Sequence, residues 1–132
     1  MAKQPETETA ERGVTAFEAS HRYARISARK VRHLADLVRG KFAEDALNIL
    51  RYQPHRGARI IEKVIRSAIG NAQDPDQSRG RSVSVDLLVI ADIRVDGGPM
   101  FKRIRPRARG MAFMIKRRMS HIKVTLVDLA DL

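Results

Sequence analysis

The chain has no cysteine and no tryptophan, only two tyrosines and four phenylalanines, and 15 acidic residues against 26 basic ones among 132. The absence of cysteine excludes a disulfide framework, a thiolate zinc site and a thiol nucleophile. So few aromatics do not make a base-stacking sheet of the RRM kind, and no RNP signature occurs. No apolar run approaches the ~20 residues that span a bilayer. The segment Met1 to Glu18 is polar and acidic, without the basic start and apolar middle of a signal peptide. What is present is 43% apolar residues, enough for one modest core in a single domain. A formal charge of +11 points to a polyanionic partner.

That charge is unevenly placed. Residues 1–20 carry net −2, residues 21–41 net +6, residues 42–93 none, residues 94–123 net +9 and residues 124–132 net −2. Between Lys102 and Arg118 there are eight bases and no acid in 17 residues. A charge run is commonly only a solvated face. Here no acid intervenes to form surface pairs, and arginine outnumbers lysine 19 to seven. Its planar fork suits phosphate better than a point charge does, and self-repulsion at this density disfavours a compact free segment.

Residues 1–15 lack apolar periodicity and read as an acidic, mobile N-terminal tail, leaving 16–132 as a single polyanion-binding domain. A short strand is expected around Tyr23–Ile26, then a helix with Ser27 as N-cap, its hydroxyl accepting from a first-turn amide. Val31, Leu34, Ala35 and Val38 recur at helical spacing with Leu37 widening the stripe, and Gly40 supplies a left-handed stop. A second helix fits Ala43 to Arg51, buried through Ala46, Ile49 and Leu50. A third fits about His55 to Ala72, with Arg59, Glu62, Lys63 and Arg66 outward. Residues 73–82 read as a loop.

The period then changes. Val83, Val85, Leu87, Val89, Ala91, Ile93 and Val95 alternate as one strand face, with Leu88 and Ile90 on the other. Ile122, Val124 and Leu126 mark a second strand. The segment between shows no core pattern, and a structureless loop of that length is out of place in a compact domain. The strands are therefore expected to run outward as a β-hairpin over about 97–121, turning near Pro106 to Gly110. Ten residues per arm reach roughly 33 Å. A two-stranded ribbon is marginal alone in water, so full order is expected only against a counter-charged surface.

Catalytic signals are weak. His21, His33, His55 and His121 lie apart without metal-ligand spacing, and His121 reads as a packing or RNA-contact residue. Asp74 and Asp76 are turn chemistry. Gly97-Gly98 is not followed by the Lys-Ser/Thr and helix start of a phosphate loop. No enzyme activity, cofactor or metal is expected. Met100, Met111, Met114 and Met119 fall in the hairpin with Phe101, Phe113 and Ile115, either packing across the ribbon or resting on bases and sugars. Two rival readings fit less well. A DNA-bending ribbon carries an apolar wedge that Pro106 to Gly110 lacks, and a membrane-surface helix is opposed by Pro106 and Gly110.

The run Val95–Gly110 (Val-Asp-Gly-Gly-Pro-Met-Phe-Lys-Arg-Ile-Arg-Pro-Arg-Ala-Arg-Gly) with Lys116–Ile122 (Lys-Arg-Arg-Met-Ser-His-Ile) resembles the signature of the large-subunit ribosomal protein twenty-two family, of bacterial type. Ala24–Arg32 and Ala35–Lys41 resemble that family's first helix, and Ser67–Ala72 the end of its long helix. The resemblance covers about residues 17–130. It implies an α+β fold: three helices on a small three-stranded antiparallel sheet, with a long protruding β-hairpin. It implies a structural constituent of the large ribosomal subunit in the cytoplasm that binds 23S-type rRNA, aids assembly and lines the nascent-peptide exit tunnel. The partners implied are that rRNA, neighbouring large-subunit proteins and the passing peptide, with no membrane and no homo-oligomer.

Residue by residue, the resemblance gives RNA contact on the hairpin to Lys102, Arg103, Arg105, Arg107, Arg109, Lys116, Arg117 and Arg118. On the helix side it gives RNA contact to Arg25, Arg29, Lys30 and Arg32. Met100, Phe101, Pro106, Ala108 and Gly110 are implied to line the tunnel as the tip. Met111 departs from the pattern, standing where the family often has a base, and the acidic residues 1–15 precede the family's usual start.

Overall fold

A computed structural model describes residues 14–132, and residues 1–13 of the expected tail lie outside the described part. Val14 and Thr15 are half-buried, and the Thr15 amide donates to the Asp131 carboxylate at 3.4 Å. The first strand, β1, spans Ala16–Ala24 rather than Tyr23–Ile26. Only Phe17 and Ala24 are buried in it. It is an edge strand, so Ser20, His21 and Arg22 face solvent, and their polarity hides the strand from a hydrophobic reading.

Helix α1 (Ala28–Val38) buries Val31, Leu34, Ala35 and Val38, the predicted stripe, whereas Leu37 is exposed. Ser27 occupies the N-cap position, but its hydroxyl makes no capping bond. Its carbonyl accepts instead from the Lys30 amide at 3.1 Å. Gly40 follows with φ of 77°, the left-handed stop its sequence position foretold. Helix α2 (Ala43–Tyr52) buries Ala43, Ala46 and Leu50. Helix α3 (Arg56–Gln73) is the longest of the three, with 18 residues. In α3, Glu62 is not outward: it is 5% exposed beneath Arg59 and Arg66, which reach it at 2.7 and 2.5 Å.

Strands β2 (Leu88–Pro106) and β3 (Ala112–Asp128) complete an antiparallel sheet of order β1-β3-β2. Together with the three helices it makes an α+β fold. The alternation read from Val83 onward holds only in part. A 3-10 turn occupies Val85–Leu87, and the ladder slips between Ile90 and Asp92. Ala91 is the extra residue of a bulge, so the core face passes from Leu88 and Ile90 to Ile93 and Val95. Sequence parity cannot show such a change of phase.

Helix α1 packs on β2, α3 on β1 and β3, and α2 on α3. Leu34, Leu50, Ile61, Ile65, Leu88, Ile90, Ile93, Ile122 and Leu126 are fully buried between these layers. At ~1.5–3 kcal/mol per such side chain, this burial holds the domain together. The free side of β2 is sealed by α1 and its exit. Arg39 donates to the Ile93 carbonyl at 2.7 Å and Arg32 to the Val95 carbonyl at 3.2 Å. Ile90 exchanges backbone hydrogen bonds with Gly40 and Lys41, both at 2.9 Å. An edge strand treated this way does not invite a foreign strand.

The ribbon leaves the domain where β3 passes two bulges, one in each neighbour. On β1 the slip lies between His21 and Ala24, with Tyr23 at φ of 58°. On β2 it lies between Gly97 and Met100. His121 ties this level together: its Nδ1 accepts from the Tyr23 amide at 3.0 Å and its ring meets Tyr23 edge-on. This is packing, the first of the two roles expected for His121. A methyl at Gly98 would come within 3.3 Å of the Met119 backbone and His121 Nε2, so a side chain there would press on β3 where the register slips.

Candidate nucleic-acid interface

Beyond Gly98 both arms leave the core. Every residue from Pro99 to Met114 is exposed. The ladder continues to the Pro106–Ala112 pair, and Arg107 to Met111 form the turn. The Arg107 amide donates to the Met111 carbonyl at 2.7 Å, and Arg109 and Gly110 both take positive φ, 61° and 68°. With no buried side chain in the arms, only the ladder and its cross-strand pairs hold the ribbon, each pair contributing about 0.2–1 kcal/mol.

The register decides which charges meet. Lys102 lies directly opposite Lys116, a like-charge pair that disfavours the free ribbon. Phe101, Arg103, Arg105, Phe113, Ile115 and Arg117 share one face; Met100, Lys102, Ile104, Met114, Lys116 and Arg118 share the other. Arg103 lies over the Phe101 ring and Arg107 over Phe113, each at 5.3 Å. Among the described residues, none of the eight ribbon cations from Lys102 to Arg118 has a carboxylate within salt-bridge distance. Among the described residues the cations that do pair are Arg39, Arg51, Arg59, Arg66, Arg81, Arg94 and Lys123, all outside the ribbon.

The ribbon base and the helices enclose a groove of about 960 Å³. Arg25, Lys30 and Arg56 line one wall and Arg103, Lys116, Arg117 and Arg118 the other, with no acid between them. Two groups of residues chosen separately in sequence thus face one space. Arg56, His33 and His55 complete it and were not singled out as site residues. Arg56 begins α3 in the charge-neutral middle of the chain, where the regional sum conceals it. Arg29 is exposed on α1 but does not line the groove, and Arg32 is held by the Val95 carbonyl on the side facing Asp36 and Asp92.

The five residues grouped as a tip are not together. Pro106, Ala108 and Gly110 form or border the turn, while Met100 and Phe101 stand on β2 beside Arg118 and Arg117. At ~3.3 Å per residue, Met100 lies about 20 Å short of Pro106. Large apolar groups do flank the turn: Met111 closes it, and Ile104, two residues before Pro106, is 77% exposed. Met114 and Phe113 are exposed too, so these methionines and aromatics are not packed away.

No group of three metal-ligating side chains occurs among the described residues, and no described helix is long and apolar enough to cross a membrane. The basic groove and ribbon are the surfaces with a chemistry of their own.

Residues 19–127 match the family of ribosomal protein L22p/L17e. The chain is similar to large ribosomal subunit protein uL22 of Rhodopirellula baltica, 68% identical over 115 residues that cover 87% of this chain and 97% of that protein. It is similar to the protein of the same name from Caldicellulosiruptor saccharolyticus, at 53% identity over 83% of this chain and 86% of the other. With that from Akkermansia muciniphila it shares 43% identity over 84% of this chain and 95% of the other. The matched span contains both walls of the groove and the whole ribbon, and on this ground the chain belongs to the ribosomal protein L22p/L17e family.

Proposed function

We propose that the protein is a structural, non-enzymatic constituent of the large ribosomal subunit in the cytoplasm, holding rRNA in its basic groove and along its ribbon. The observation that carries this is the set of eight ribbon cations with no carboxylate partner among the described residues. Such charges disfavour the free fold and are favourable only when phosphates neutralise them and release counterions. The relatives named for the large subunit, and the family shared with them, support reading that RNA as large-subunit rRNA. Folded rRNA offers irregular channels into which a ribbon fits by shape, with Lys102, Arg103, Arg105, Arg107, Arg109, Lys116, Arg117 and Arg118 on its phosphates. The groove cations Arg25, Lys30 and Arg56 grip a second RNA segment, so the protein staples two segments together during assembly. The turn at Pro106, Ala108 and Gly110 borders the passage taken by the nascent peptide, and neighbouring ribosomal proteins adjoin the globular part.

Filter binding to large-subunit rRNA tests this, comparing the full chain with a variant lacking residues 100–118. The variant is expected to lose most of the affinity. Equal affinity would sink the stapling role. In sucrose gradients the protein is expected to travel with large subunits, and recovery with the nucleoid would overturn the assignment.

A further inference from the structure

The groove contains more than cations. His33 on α1 and His55 at the start of α3 line it side by side, their rings edge to face at 5.1 Å. Both are exposed, and neither imidazole ring has a hydrogen-bond partner among the described residues. The wall formed by the ribbon adds the Phe101 ring with the Arg103 guanidinium over it. A surface meant for phosphate alone gains nothing from these flat groups. Two imidazoles without a third ligand nearby do not make a metal site. A concavity of about 960 Å³ is the size of a small-molecule pocket. A single splayed nucleotide is small enough for that volume.

Resting on the RNA-binding reading above, we infer that this groove is a nucleobase site. An unpaired base of the RNA stacks on the His33–His55 wall or on the Phe101–Arg103 wall. Arg25, Arg56 and Arg117 hold the phosphates on either side. Unstacked bases resting on aromatic rings and guanidinium planes are the usual means by which proteins recognise single-stranded RNA. The groove thus makes the protein select a looped or bulged strand at its helix side, and the ribbon is left to bind by charge and shape. The residues that give this selectivity are His33, His55 and Phe101.

The test uses the full chain and two probes with comparable phosphate charge, a short single-stranded oligoadenylate and inorganic polyphosphate, read by competition in fluorescence anisotropy. For the double substitution His33→Ala/His55→Ala, oligoadenylate affinity is expected to fall about tenfold, the scale of one lost base stack, while polyphosphate affinity stays unchanged. Phe101→Leu is expected to act in the same direction. Arg56→Gln/Arg117→Gln is expected to weaken both probes and to flatten the salt dependence. Both histidines are exposed, so the double variant keeps the wild-type far-ultraviolet circular dichroism. Equal losses on the two probes, or no loss on either, would overturn the base site and leave the phosphate-binding surface standing. Failure of the wild-type chain to bind large-subunit rRNA would instead remove the reading on which the site rests.

Discussion

At Glu62 one carboxylate gathers three arginines, with Arg59 and Arg66 in contact and Arg51 at 4.0 Å. Arg59 also donates to the carbonyls of Leu50, Arg51 and Gln53, closing the C-terminal end of α2. Its cation thus meets both a carboxylate and the negative end of a helix dipole. Removing the carboxylate by Glu62→Ala is expected to cost about 1–2 kcal/mol in urea unfolding. This is below the 3–5 kcal/mol of a fully buried pair, because the arginines are half exposed and solvated. Residue-level legibility was uneven, and for physical reasons. Gly40 was readable because only a residue without Cβ takes φ of 77° without strain. That Ser27 makes no capping bond was not, since a hydroxyl rotor chooses among partners that only the folded environment fixes.

Within the elements, β2 shows how an inserted residue defeats a period-two reading. Deleting Ala91 removes the bulge and leaves Leu88, Ile90, Ile93 and Val95 in strict alternation. The shortened chain is expected to fold with a stability within about 1 kcal/mol of the parent, since no buried apolar group is lost. Unfolding of that variant would mean that the bulge itself is required. In the ribbon, the Lys102–Lys116 pair makes effects on folding and on binding diverge. Lys102→Glu turns repulsion into attraction and is expected to slow amide exchange in the free ribbon, gaining a few tenths of a kcal/mol up to about 1. The same change is expected to weaken rRNA binding, because it puts a carboxylate among phosphates. If exchange and affinity moved in the same direction, the ribbon charges would have a structural purpose instead. The period of α1, α2 and α3 was legible because each helix buries a continuous apolar stripe. The length of β1 was not, because an edge strand with one wet face need not be apolar.

For the whole molecule, the core and the candidate binding surface are separated in space. The core lies between the helices and the sheet, and no residue from Pro99 to Met114 contributes to it. Removing residues 100–118 is therefore expected to leave the thermal unfolding midpoint nearly unchanged while affinity for rRNA collapses. A parallel drop in both would place the ribbon in the core's cooperative unit. With six to eight phosphate contacts, the intact protein is expected to lose roughly three to five decades of rRNA affinity between 50 and 200 mM salt. A shallow slope would indicate that apolar contacts by Ile104, Met111 and Met114 dominate.

The sequence by itself determined the concentrated basic charge and the projecting ribbon. Charge and the absence of a core pattern are properties of composition and spacing, which folding cannot alter. It also held the motif of the family to which the chain belongs. Only the tertiary structure decided that the helix-side and ribbon cations enclose one groove, that Arg56, His33 and His55 join them, and that Met100 and Phe101 stand at the ribbon's base. Those relations depend on where α3 begins against α1 and on bulges at Ala91, Gly98 and Tyr23. A bulge moves whole faces by one residue, and the sequence carries no period that announces it.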